Sequence, residues 1–407
     1  MPVPPSPAYA GQRRAATPFA SRPVPDEPQP RALVVEQGWS RGALAAVRAL
    51  SAAGWRVGVA APQSRGLALV SRSCHARHVV APLQPSMDAF VASVAAVAEC
   101  GRYDVVFGAG EAEVLGLSAA RGALPGVFPH SGHESLLRAL DKSALSSAAA
   151  AVGLSVPEAV DLDDVPDERT PVVIKARLHA RPELEGAPPR IDTTVVVGRT
   201  AARRRVDEVR ALGGDPEVQA FHPGSLVAYS AVRGRDGEGV VADSMQRASR
   251  IWPPGAGASC RAETVAVDEQ LVAGATALLE ELGWFGLAEL QFLVGDDGVP
   301  RLIDLNGRFY GSLSLAVAAG ANLPAVWADL AVGRDPGPPV RARPGVRYHW
   351  GTADLRRAVR ERRGGLWGDV AQTTAYAVRS RQSVADLRDP APAAARLLAA
   401  AAARLRA

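Results

Sequence analysis

The segment from Leu287 to Leu313 constrains this chain more than any other. It opens as Leu-Ala-Glu-Leu-Gln-Phe-Leu-Val, passes through the polar turn Gly295 to Gly298, and returns from Pro300 as Pro-Arg-Leu-Ile-Asp-Leu-Asn-Gly-Arg-Phe-Tyr-Gly-Ser-Leu. Glu289 and Gln291 alternate with Leu290 and Phe292, the period of a half-buried strand. In the returning strand the same period puts Leu302, Asp304 and Asn306 on one face and Ile303 and Leu305 on the other. Paired as a hairpin, the two strands bring Gln291, Asp304 and Asn306 to one point, with Arg308 just beyond. Oxygen-bearing side chains and a fixed guanidinium are what Mg²⁺ and a phosphoryl group require. A solvated surface hairpin satisfies the same alternation, so the rest of the chain has to decide.

At 407 residues there is room for two or three domains. With 47% hydrophobic and 22% charged residues, the composition is that of a soluble globular protein. The net charge is +4 and the arginines are scattered, which argues against a nucleic-acid partner. Cys74, Cys100 and Cys260 are far apart and lack metal-ligand spacing, so they read as reduced, buried thiols of a cytoplasmic protein. The first thirty residues are rich in Pro with Ala, Ser and Arg, and read as a disordered tail. No stretch approaches the roughly twenty apolar residues that span a bilayer, so no membrane partner is expected. The end, Pro392 to Ala407, is interrupted by Arg396, Arg404 and Arg406 and reads as a surface helix.

From the N-terminal side, Ala32 to Glu36 is an apolar run leading into Gly38-Trp39-Ser40-Arg41-Gly42, followed by a helical pattern to Ala53 and a second strand, Arg56 to Ala60. Strand, Gly-containing turn, helix and strand open a parallel sheet. His78 to Ala81 and Asp104 to Gly108 add strands, with a helix over Met87 to Glu99 between them. A nicotinamide site is the obvious alternative, but the turn lacks the three-glycine spacing and no acidic residue ends the second strand. Ligands of such sheets sit outside the carboxyl ends of the strands, so Trp39, Ser40, Arg41 and Glu111 are candidate pocket residues.

After Pro125 the pattern changes. A short helix delivers Asp141-Lys142, and Ser143 to Val152 continues as a helix. Lys175 ends the apolar strand Pro171-Val-Val-Ile-Lys, where a cation is costly unless it faces a cleft holding an anion. Thr193 to Val197 and Glu217 to His222 read as strands around a charged helix, Ala201 to Leu212. Leu226 to Arg233 and Gly239 to Gln246 form an antiparallel pair, and a long helix, Asp268 to Leu282, precedes the hairpin.

The order of these pieces resembles the ATP-grasp superfamily, and most closely its predicted carboxylate-amine ligases. Asp141-Lys142, Pro171 to Lys175, the hinge Gln219 to Gly224, Gly286 to Phe292 and Asp304 to Ser312 carry the resemblance. It implies an α/β and α+β chain: a parallel pre-ATP-grasp domain over 31–130 and an ATP-grasp domain over 131–335 with a lid lobe at about 155–222. A largely helical extension, 336–407, would follow. Carried over by position, Lys142 and Lys175 contact ATP phosphates, and Gln219, Ala220, Phe221 and His222 hold the adenine. Gln291, Asp304 and Asn306 hold Mg²⁺, and Arg308 faces the phosphoryl group in flight. Glu289, Arg233 and Glu111 are further candidates.

The activity implied is amide formation between a small carboxylate and an amine through an acyl phosphate, with homodimers within the family's range. Two departures bear on this. Many relatives carry Glu at the positions of Gln291 and Asp304, and Glu289 stands where it could compensate. The loop His179 to Arg190 holds Pro and only one Gly where relatives have a Gly-rich phosphate lid, leaving His179, Arg181 and Arg190 to act by side chain. A catalytically weakened ATP-binding protein is therefore the alternative of the same fold, ahead of the oxidoreductase.

Overall fold

Three sheets organise the chain, and a different sequence pattern builds each. The computed structural model describes residues 29–166, 169–180, 190–235 and 237–406, with the side chains of 403–406 left aside. Most of the expected N-terminal tail, residues 1–28, and Arg181 lie outside them. The first sheet is parallel. It is built from β1 (Arg31–Val35), α1 (Arg41–Ala52), β2 (Arg56–Ala61), β3 (Ala76–Val79), α2 (Met87–Cys100), β4 (Val105–Gly108) and α3 (Glu111–Ala119), with strand order β3-β2-β1-β4. Both faces of β1 are buried: Ala32 and Val34 join one core with Val47 and Leu50 of α1, while Leu33 and Val35 join another with Phe90 and Val94 of α2. A continuous apolar run is the signature of such a doubly covered strand.

Ser40 caps α1, its hydroxyl accepting from the Ala43 N–H at 3.1 Å. A Cβ on Gly42, in the first turn, would stand 2.2 Å from the Phe309 carbonyl oxygen. Glycine alone therefore lets α1 lie against the loop that carries Arg308, which fixes the parallel sheet to the rest of the molecule.

Helices α4 (His133–Leu140) and α5 (Lys142–Ala151) lead to a small antiparallel sheet: β5 (Pro171–Ala176), β6 (Thr194–Val197), α6 (Arg199–Ala211) and β7 (Pro216–Ala220), ordered β6-β5-β7. Val172 and Ile174 pack beneath Ala202, Val206 and Val209 of α6. That leaves the opposite face of β5, with Val173 and Lys175, turned to the cavity described below.

The large sheet follows: β8 (Ser225–Arg233), β9 (Val240–Trp252), β10 (Ala258–Thr264), α7 (Glu269–Glu281), β11 (Gly286–Val294), β12 (Pro300–Asn306), α8 (Leu313–Ala318), α9 (Leu323–Ala331), β13 (Val340–Arg341), β14 (Arg347–His349), α10 (Gly351–Glu361), α11 (Leu366–Val378), β15 (Arg381–Gln382) and α12 (Ala391–Arg406). Its order is β12-β11-β8-β9-β10-β14-β15, with β13 beside β9. Leu290, Phe292 and Leu305 pack on Leu136, Leu145 and Leu278 of α4, α5 and α7. The segment after residue 336 is mainly helical, yet it also supplies β13, β14 and β15, so it completes the large sheet.

Several expectations need correction. The alternation assigned to the returning strand breaks at Ile303, where a bulge leaves Gln291 opposite Asp304 but Phe292 opposite Leu302. The extra residue shifts the phase, so Leu302 goes into the core and Ile303 joins Asp304 at the cavity. The strand expected to reach His222 ends at Ala220. Of the three cysteines, Cys260 is buried, Cys74 is half-buried and Cys100 is exposed. β10, α3, α8 and α9 carry no clear signal in the sequence reading. No helix among the described residues is long and apolar enough to cross a membrane.

Candidate functional site

A cavity of about 840 Å³ lies where the three sheets meet, bordered by the ends of β1 and β4, the inner face of the small sheet and the inner faces of β11 and β12. The hairpin brings its polar side chains together. β11 and β12 pair with Glu289 opposite Asn306 and Gln291 opposite Asp304. Glu289 accepts from the amide NH₂ groups of Gln291 and Asn306, both at 3.0 Å, and the Asn306 amide oxygen accepts from Arg308 Nη2 at 2.7 Å. Four side chains from three positions along two strands and one loop are thus locked into one network.

Local sequence explains how the two lysines arrive. Asp141 caps α5, accepting from the N–H groups of Ser143 and Ala144 at 3.0 Å, and its other oxygen takes Arg177 Nη2 at 2.8 Å. The Lys142 N–H donates to the Arg177 carbonyl at 2.9 Å, which ties the start of α5 to the end of β5. Held there, Lys142 is buried and forms an ion pair with Asp304. Lys175, only 5% exposed, lies opposite Glu217 of β7 and lines the same cavity.

Burial and neighbouring charge set the protonation states. Desolvation pushes Lys175 down to about 8, with Glu217 opposing and Lys142 adding to the shift. Burial alone would raise the Asp304 carboxyl, but Lys142 and the other cations around it hold it well below the usual carboxylate range. Glu289 is pushed up by burial to about 7, against the pull of Arg308 and its two amide donors. Desolvation also drives His179 well below its ordinary value, so it stands neutral. The cavity is therefore a poorly solvated site in which Lys142 and Asp304 form an ion pair while burial pulls Lys175, Glu289 and His179 toward their neutral forms.

The chemistry of the donors bears on a metal. Asp304, Asn306 and Gln291 offer hard oxygens, with Glu289 beside them, which suits Mg²⁺ in kind. The set contains two carboxylates, and no group of three His, Cys, Asp or Glu able to hold a metal occurs among the described residues. Any Mg²⁺ here would depend on amide oxygens.

Comparison with solved structures decides the architecture. An L-amino acid ligase from Bacillus licheniformis superposes with a TM-score of 0.58 at 17% identity, over 75% of each chain. An N5-carboxyaminoimidazole ribonucleotide synthetase solved with ADP gives 0.58 at 15% identity, over 82% of this chain and 84% of that one. A biotin carboxylase from Campylobacter jejuni gives 0.56 at 16% identity, over 75% and 71%. A family model described as "ATP-grasp in the biosynthetic pathway with Ter operon" matches residues 245–353. No curated protein matches the sequence. The chain has the ATP-grasp fold.

Within the ATP-grasp frame, most of the residues singled out from sequence come together. Lys142, Lys175, Gln219, Ala220, Phe221, His222, Gln291, Asp304, Asn306, Arg308, Glu289 and Glu111 all line the cavity. Arg233 does not: it donates to the Trp284 carbonyl at 2.9 Å and faces Glu280 at 3.6 Å, holding the start of β11 in place. Sequence reading missed Glu36, Glu113, Ile303 and Trp350, which also line the cavity. Glu36 follows an apolar strand and lines up with Glu111 and Glu113 only once β1 and β4 are known to be neighbours. Trp350 stacks under Arg41, whose Cζ is 3.5 Å from the ring centre, an arrangement that spans more than three hundred residues and leaves no local trace.

Proposed function

We propose that this protein is an ATP- and Mg²⁺-dependent ligase that joins a small carboxylate to an amine through an acyl phosphate. The observation that carries the reading is the convergence of Lys142, Lys175, Asp304, Asn306 and Arg308 on one cavity between the small and large sheets. On this reading residues 31–130 form the substrate-side lobe and 131–335 the nucleotide-binding lobes. The segment after 336 closes the large sheet.

ATP would enter between the two antiparallel sheets, with its adenine against the hinge from Gln219 to His222 and its phosphates toward Lys142 and Lys175. Asp304, Asn306 and Gln291, aided by Glu289, would hold Mg²⁺, which supplies charge neutralisation between phosphates. Lys142 can exchange Asp304 for phosphate oxygens without leaving the cavity. Arg308 is half-buried, and its fork suits the oxygens of a transferring phosphoryl group. The substrate carboxylate attacks the γ-phosphorus and ADP departs. The amine then displaces phosphate from the acyl carbon. The chain's work is to hold donor and acceptor in line and to stabilise charge in a dry site.

The test uses hydroxylamine as a general amine, since it converts an acyl phosphate to a hydroxamate. Purified protein with ATP and Mg²⁺ should form ADP and hydroxamate with at least one member of a broad panel of small acids. ATP binding by calorimetry with no ADP formed on any acid would leave the catalytically weakened reading in its place, which the loss of a carboxylate at Gln291 favours.

A further inference from the structure

The side of the cavity away from the proposed nucleotide site is acidic. Glu36 follows β1, and Glu111 and Glu113 open α3 after β4, so three glutamates stand at the carboxyl ends of adjacent parallel strands. All three line the cavity, with exposures of 1%, 9% and 2%. Their hydrogen bonding is incomplete. Glu36 Oε2 accepts from the Ser40 N–H at 3.1 Å, while Glu36 Oε1 and Glu111 Oε1 are buried with no hydrogen-bond partner among the described residues. A buried carboxylate oxygen without a donor costs stability and points to a missing partner.

The backbone at Gly38 and Ala68 also supports the Glu36 carboxylate and Gln37 supports Glu113, but Glu111 Oε1 has no donor among the described residues. His179 Nδ1 is 3.9 Å from Glu111 Oε2, beyond hydrogen-bond reach, and that ring stands neutral. Arg308 feels the charges of Glu111 and Glu113, but its nearest recorded partner is Asn306. The three glutamates and Arg308 line the same cavity. Without a cation two of the glutamates are driven toward their neutral form: burial, with Glu113 beside it, pushes Glu36 up to about 8, and burial also raises Glu113. A bound cation would reverse that.

We propose that Glu36, Glu111 and Glu113 form a receptor for an ammonium group, and that the acid activated in this cavity is an amino acid whose own amine docks there while its carboxylate meets Arg308. The inference rests on the ligase reading for the carboxylate and on the orphaned oxygens for the ammonium. It gives the acidic wall a chemical purpose. An amine held as ammonium between carboxylates has no lone pair to attack with, so the acid substrate cannot condense with itself and the nucleophile must be a second molecule.

The experiment compares matched pairs of acids as substrates for hydroxamate and ADP formation: L-alanine with propanoate, L-leucine with 4-methylpentanoate, and 4-aminobutanoate with butanoate. The amino member of at least one pair should exceed its deaminated partner in kcat/KM by tenfold or more. Glu111→Gln and Glu36→Gln should shrink that ratio toward one by raising KM for the amino acid, with KM for ATP unchanged. If deaminated acids react as well as amino acids, the inference is overturned and the ligase reading stands. If no acid of either kind gives ADP, the ligase reading fails, and calorimetry of the same pairs in the presence of ATP decides the inference: preferential binding of the amino member supports it, and equal or absent binding overturns it. The wild-type pairs keep the test valid should a variant fail to fold.

Discussion

Two clusters of buried charge sit about the large sheet, and they are finished to different degrees. At the seam between β9, β10 and the helices α10 and α11, Arg250 donates to Asp354 at 2.9 Å and to both oxygens of Asp369 at 2.7 Å. Arg261 donates to the second Asp354 oxygen at 2.6 Å and to the Thr373 hydroxyl at 2.8 Å, and His349 Nε2 stands 2.9 Å from the same oxygen. Every charge there has an opposite partner, and only Arg250 Nε is left without a hydrogen bond among the described residues of that group. Around the cavity, Glu36 and Glu111 keep free oxygens, His179 Nε2 has no partner among the described residues, and Lys175 faces Glu217 without a recorded ion pair. The first cluster spends its charge on holding two helices to a sheet. The second keeps charge unpaired along the wall of a cavity, where a ligand can reach it, and that combination is the mark of a site.

The contrast is broken most forcefully at Asp354, which is fully buried. Asp354→Ala leaves Arg261 without a carboxylate and takes one of two from Arg250 in a dry interface, and should cost about 3–5 kcal/mol of stability, seen as a large fall in the urea midpoint. A loss below about 1 kcal/mol would mean that the seam is not a coupled unit. Arg308→Ala should do the reverse. Hydroxamate formation should fall by about 10²–10³-fold, while the urea midpoint stays level or rises and ATP still binds, because a half-buried cation with no ion-pair partner among the described residues has been removed. A lowered midpoint with turnover intact would move Arg308 from the reaction to the framework.

The side of the cavity proposed for the nucleotide was legible because its signals are local. Alternation gave Glu289 and Gln291 a common face, a short helix delivered Asp141-Lys142, and an apolar strand ending in Lys175 demanded an anion nearby. What sequence could not show depends on contacts between distant segments. The bulge at Ile303 changes the phase of a strand whose residues alternate cleanly on paper. Glu36 meets Glu113 only across two parallel strands, and Arg250 finds its carboxylates more than a hundred residues away. Arg233 was a further candidate, but its guanidinium goes to the Trp284 carbonyl. The short strands β13, β14 and β15 are two or three residues long, too brief for any periodicity to register.

A smaller effect should appear in pH. Lys175 titrates at about 8 in the folded chain against 10.5 in the unfolded one. Between those values the unfolded chain binds the extra proton, so this group's contribution to stability rises with pH as its burial cost is relieved. ATP affinity should move the other way, weakening as pH passes 8 by up to about tenfold per unit, because the phosphates need the ammonium. Calorimetric titrations of ATP from pH 7 to pH 9 would show the trend, and Lys175→Met should flatten it. A flat profile in the unmodified protein would place Lys175 away from the phosphates.

The finest test restores a carboxylate to the cavity and asks which ligand was wanted. Gln291 lies opposite Asp304 and donates to Glu289, so Gln291→Glu would crowd three carboxylates onto one pair of strands. In the absence of metal that should raise Glu289 further above about 7 and lower the urea midpoint, since like charges in a dry site disfavour ionisation. With Mg²⁺ present the balance should invert: ligand charge sets cation affinity, and the concentration giving half-maximal hydroxamate formation should drop by about three- to tenfold. An unchanged Mg²⁺ requirement would take Gln291 out of the metal set and leave Asp304 and Asn306 to hold the ion with Glu289. A drop in requirement without loss of metal-free stability would show that this part of the cavity is wetter than its burial implies.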